Sequence, residues 1–118
     1  MKQIVLSALA LSAALVGGCA TAQLSTDRVA SSEAAIRSAD ELGAAQVPQA
    51  ALHLKLAQEQ LVQAKKLNDD GEHERADLVL ARANADAELA VALVKEANAE
   101  QQAMAVQSDI SKIEGKTP

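Results

Sequence analysis

Alanine and leucine recur in alternating steps of four and three through the second half of this chain. Ala50, Leu54, Ala57, Leu61 and Ala64 keep that spacing, and Ala76, Leu80, Ala83, Ala87, Ala90, Val94 and Ala97 repeat it without a miss. Such steps put side chains on one face of a helix, so the pattern demands helices whose seams pack on other helices. Composition closes the alternative. Phe, Tyr and Trp are all absent, which removes much of what sandwich and barrel strands are built from. Among 118 residues, 27 are alanine and 15 leucine, two of the best helix formers. The expected class is all-α.

Breaks in the seam set the number of helices. Ser25 or Thr26 can cap a first helix, with Asp27 favourable in its first turn. This helix is expected from residue 27 to about Gln46. Val29, Ile36 and Leu42, with Ala35 and Ala39, form its apolar side, Gly43 weakens its last turn, and Glu33 with Arg37 makes an i,i+4 pair. Pro48 biases Val47 away from helical angles and suits the first position of a second helix, reaching about Asn68. Leu52, Leu56 and Leu67 widen the apolar face of that helix. Asn68-Asp69-Asp70-Gly71 then stops it, with Gly71 in a left-handed position and Asp69 and Glu72 as a capping box for the third helix. From Gln101 the third seam turns polar, and Met104, Val106, Ile110 and Ile113 fall out of line with it. Residues 114–118 read as a frayed tail. The expected architecture is an antiparallel three-helix bundle, or helical hairpin, over residues 27–113. Its long third helix overhangs the others from about Lys95, and that overhang is the expected exposed or partner-binding part.

The first nineteen residues carry a different message. Met1-Lys2-Gln3 precedes an apolar run from Ile4 to Val16, interrupted only by Ser7 and Ser12. A basic start, an apolar run and small residues after it are the parts of a secretory signal. A spanning helix needs about 20 apolar residues to cross ~30 Å of hydrocarbon, which this run does not supply. No basic cluster follows it, the next basic residue being Arg28. Residues 1–18 are therefore expected to be a cleaved leader.

Cys19 is the one cysteine of the chain and so has no partner within it. Val16-Gly17-Gly18-Cys19 resembles the bacterial lipobox, with Val16 where leucine is commoner. The resemblance implies that the Cys19 thiol takes a diacylglycerol, that the leader is removed, and that the new amino terminus is acylated. An unmodified thiol or an intermolecular disulfide is the alternative. Two acyl chains anchor a protein stably where one does not. Residues 19–26 would then be a tether. Ala20, rather than Asp, follows the cysteine. By resemblance to lipoproteins of diderm bacteria, this implies the periplasmic side of the outer membrane.

The stretches Gln58-Glu59-Gln60-Leu61-Val62-Gln63-Ala64, Gly71-Glu72-His73-Glu74-Arg75-Ala76 and Ala85-Asp86-Ala87-Glu88-Leu89-Ala90 resemble small bacterial lipoproteins that carry the domain of unknown function 4398. His73 departs from the Gly-Asp-Tyr-like turn of such families. The resemblance implies an alanine-rich helical hairpin after a lipobox, an envelope location and no established activity. The helix pair also looks like one tetratricopeptide unit, but a repeat array needs stacked neighbours.

Chemistry-bearing residues are few. Asp69, Asp70, Glu72, His73 and Glu74 cluster at one turn, but lack the spacing of a calcium loop or a zinc site. A solvated, capped turn accounts for them. His53 is solitary and expected partly exposed on a helix surface. No serine sits in a nucleophile elbow and there is no glycine-rich phosphate loop, so no enzyme, metal or cofactor beyond the acyl chains of Cys19 is expected. A net charge of -5 and the lack of aromatic platforms disfavour nucleic acid, and no small-molecule substrate is inferred. The expected role is a lipid-anchored envelope protein with a structural or scaffolding function. Its partners are the membrane through the lipid, and possible self-association or an envelope protein met by helix packing. Two rival readings stand. One is a periplasmic binding module or chaperone-like adaptor using the exposed end of the third helix. The other is an oligomeric coiled-coil spacer like the murein lipoprotein, against which Pro48, the turn at Gly71, and Thr117 and Pro118 after Lys116 all count.

Overall fold

The computed structural model describes residues 22–116. The expected leader and the lipobox (Val16, Gly17, Gly18 and Cys19) lie outside the described residues. The described residues form three α-helices and one short 3-10 turn: α1 (Thr26–Glu41), the turn Ala44–Gln46, α2 (Pro48–Asp69) and α3 (His73–Glu114).

Each boundary has a local cause. Ser25 caps α1, its Oγ accepting from the Arg28 N–H at 3.2 Å. The expected run to Gln46 is not observed, because α1 stops at Glu41. Gly43 takes a left-handed φ of 89°, which reverses the chain and starts the 3-10 turn. Val47 is extended ahead of Pro48, which opens α2. α2 ends in a Schellman closure: Gly71 sits at φ 83°, its N–H reaches Asn68 O at 3.1 Å, and the Glu72 N–H reaches Leu67 O at 2.8 Å. The expected capping box does not form. Asp69 belongs to the last turn of α2, and α3 starts from Glu72 without a side-chain cap.

α2 packs along α3, and α1 lies against both. Glu33 of α1 meets Lys65 of α2, and Arg28 near the start of α1 meets Asp77 near the start of α3. α1 therefore runs alongside α3, with α2 returning between them. The seams face inward as expected. Ala50, Leu54, Ala57 and Ala64 of α2 and Ala76, Leu80, Ala83, Ala87, Ala90 and Val94 of α3 are all buried. Alanine at these contacts lets helix axes sit at the near end of the 8–10 Å range.

Three leucines differ from expectation, and one buried residue, Ser32, carried none. Leu61 is only half buried, packed at the margin of the core. Leu42 and Leu52 are 43% and 57% exposed rather than part of the apolar faces. Leu42 lies beyond the last turn of α1, and Leu52 lies two residues from both Ala50 and Leu54, on the outer side of α2. Ser32 is 2% exposed at a seam position of α1.

α3, of 42 residues, is about 63 Å long, against about 33 Å for α2. Its seam closes at Val94; Ala97 is half buried and every described residue from Asn98 onward is exposed. α3 thus overhangs the bundle as expected.

Candidate functional site

The last residues of the expected tether enter at one end of the bundle. The Leu24 N–H donates to Asn68 Oδ1 at 3.0 Å, and the same oxygen lies 3.1 Å from His73 Nδ1. Asn68 thus stitches the incoming chain to the turn between α2 and α3. A hollow is left between Ala22, Ser25 and Arg28 on one side and His73, Asp77 and Leu78 on the other, with the half-exposed Arg28–Asp77 ion pair in its lining. The overhang of α3 leaves the bundle at the opposite end, beside Val47 and Pro48 at the start of α2.

The acidic turn is dispersed rather than convergent. Lys66 Nζ donates to Asp70 at 2.6 Å, Arg75 pairs with Glu72, and His73 turns back to Asn68. The bond to Asp70 and the charge behind it hold the Lys66 ammonium above its ordinary pKa. Among the described residues, no group of three or more His, Cys, Asp and Glu side chains is placed to hold a metal.

His53 is partly exposed on α2, as expected, but not solitary: its Nδ1 lies 2.8 Å from Asp86 Oδ1, and Gln60 Nε2 donates to Asp86 Oδ2 at 2.9 Å. Gln60 Oε1 is buried and accepts no hydrogen bond from the described residues. His53 and Gln60 stand seven residues apart, which puts them on one flank of α2, and Asp86 lies beside the buried Ala87 on α3. That heptad offset was the available signal for the cluster. A His–Asp pair could orient a proton, but the third member is an amide, which neither attacks carbon nor takes a proton at neutral pH. What the arrangement does is clip α2 to α3 in one register.

Glu33 likewise departs from the i,i+4 expectation. Its carboxylate meets Lys65 across the helix interface at 2.5 Å rather than Arg37 along α1. That bond and charge are the main reason its carboxyl lies below the usual glutamate range, with Arg37 adding a smaller contribution through space.

No helix among the described residues is long and apolar enough to cross a membrane. No curated protein and no solved structure matches the chain. A family model does match, over residues 27–106, which takes in α1, α2 and two-thirds or more of α3. The repeated alanine seams, the Gly71 turn and most of the long third helix fall within that match, and the chain belongs to the family described as Domain of unknown function (DUF4398).

Proposed function

We propose that the protein is a lipid-anchored cell-envelope protein, held by acyl chains on Cys19 at the periplasmic side of the outer membrane, with a structural or scaffolding role and no catalysis of its own. The observation that carries this reading is the single cysteine, set after Val16-Gly17-Gly18 at the end of an apolar run too short to span a bilayer. The bundle geometry is compatible with it. Leu24, near the end of the tether, is fastened to the turn between α2 and α3, so the α3 overhang lies at the end away from the anchor. Ala20 after the cysteine supports the outer-membrane assignment. Mass spectrometry of the protein isolated from membranes should give a mature chain beginning at Cys19 and heavier by three acyl chains and a glycerol. Cys19→Ser should leave the membrane fraction. An intact leader with an unmodified thiol at Cys19 would refute the proposal.

A second reading has one observation in its favour. Met104, Val106, Ile110 and Ile113 are 44–70% exposed on the overhang, as an adaptor that meets an envelope protein by helix packing would need. Cross-linking of the anchored protein in cells, followed by identification of what is captured through residues 100 to 113, separates the two roles.

A further inference from the structure

α3 carries a second stripe on the side opposite its buried seam. From Leu78 the four–three spacing runs through Ala85, Leu89, Ala92, Ala99 and Ala103, every one of them exposed. Val106 and Ile110, out of line with the bundle seam, are in line with this one. Two charged residues stand at the remaining stripe positions, Arg82 and Glu96, and both are exposed. α1 and α2 occupy the other sides of α3, so the stripe is open to an incoming helix along most of its length.

We propose that this stripe pairs with itself in a second copy of the chain, the two α3 helices running antiparallel about a two-fold axis between Ala90 and Val91. In that register large residues face small ones. Leu89 faces Ala92 of the second copy, Leu78 faces Ala103, and Arg82 faces Ala99. Between Leu78 and Ala103 the charges then sort without conflict; beyond that span Glu74 comes beside Asp109 of the second copy, a carboxylate that Lys112 already meets on its own helix at 3.1 Å. Glu96 lies one layer from Arg82 of the second copy, and Glu88, on the flank of the stripe, lies beside Lys95. The two-fold repeats each attraction, as an isologous interface requires. Glu88 is bound on its own helix by Asn84 Nδ2 at 2.7 Å through one oxygen, which leaves the other for Lys95.

The parallel alternative fails on the same residues. In register it sets Arg82 on Arg82 and Glu96 on Glu96 within the seam itself, against an attraction of Lys95 for Glu100 on the flank. The antiparallel overlap from Leu78 to Ala103 is about 39 Å long, seven to eight helical turns of contact.

The test is sedimentation equilibrium of the full chain in a neutrally buoyant detergent, which reads association whether or not Cys19 is acylated. The wild-type chain should be a dimer. Lys95→Glu and Glu88→Lys each convert two attractions into two repulsions and should raise the dimer Kd at least about tenfold. Combining them restores opposite charges and should return the Kd to near the wild-type value. Both positions are exposed, so circular dichroism should show unchanged helix content in all three variants. A wild-type monomer at every concentration overturns the proposal, and so does an unchanged Kd in either single variant. Rescue of Lys95→Glu by Glu100→Lys instead of Glu88→Lys overturns it in favour of the parallel arrangement.

Discussion

Ala39, Ala50, Ala57, Ala64, Ala76, Ala83, Ala87 and Ala90 have no exposed surface. Each contributes little apolar area, but its small side chain brings two backbones together and lets the few larger residues fill what remains. Ser32 holds an equivalent place on α1 because it is scarcely larger than alanine. Leu80, 1% exposed, is the largest fully buried side chain. Truncating it leaves a cavity that rigid helix backbones cannot close, so Leu80→Ala should cost about 2–5 kcal/mol. Leu61→Ala, at a half-buried margin, should cost less than about 2 kcal/mol. Urea denaturation of the two variants tests this ranking, and equal losses would contradict the burial pattern. Seam positions were legible because four–three spacing fixes a face regardless of what packs there. The His53–Asp86–Gln60 cluster was not, since its members lie 33 and 26 residues apart and meet only once two helices have chosen their rotation.

At the scale of the element, glycine and proline decide where helices end. Pro48 and Gly71 were legible, each lying between two periodic segments with turn chemistry around it. Gly43 was misread because a glycine inside a helical pattern is usually tolerated, at a cost of about 1 kcal/mol. Here the reversal it permits takes α1 into the 3-10 turn and lets Val47 extend before Pro48. At Gly71 an added Cβ would meet nothing within 4 Å, so substitution there reports backbone strain alone. Gly71→Ala should destabilise the fold by about 1–2 kcal/mol, and Gly71→Asn by less, since asparagine tolerates the left-handed region. Thermal melts of both variants provide the check. An alanine variant as stable as wild type would mean that the Schellman closure is not needed to join α2 to α3.

The whole molecule is a short bundle built on one long helix. Everything described beyond Asn98 is exposed, so those residues stabilise the bundle little. Truncation after Glu100 should change bundle stability by no more than about 0.5 kcal/mol. In the monomeric state, native-state hydrogen exchange should show strong protection from Ala76 to Val94 and little beyond Asn98. Loss of cooperative melting on truncation would show that the overhang folds back or is needed for the core. What that length supplies instead is surface, the outer stripe of α3 and the exposed apolar residues at its end.

Helix number, helix class, the inward seams and the overhang were determined by local chemistry: propensity, four–three spacing and the breaks at Pro48 and Gly71 need only neighbours along the chain. The family relationship rests on the same pattern. Tertiary structure alone decided which ions pair, sending Glu33 to Lys65 and His53 to Asp86. It also decided that Leu42 and Leu52 remain outside, and that the turn at residues 68–73 holds the incoming chain through Asn68. Those outcomes depend on how far each helix is rotated about its axis. With alanine lining every seam, that rotation is set by contacts between helices rather than by any one helix's own sequence.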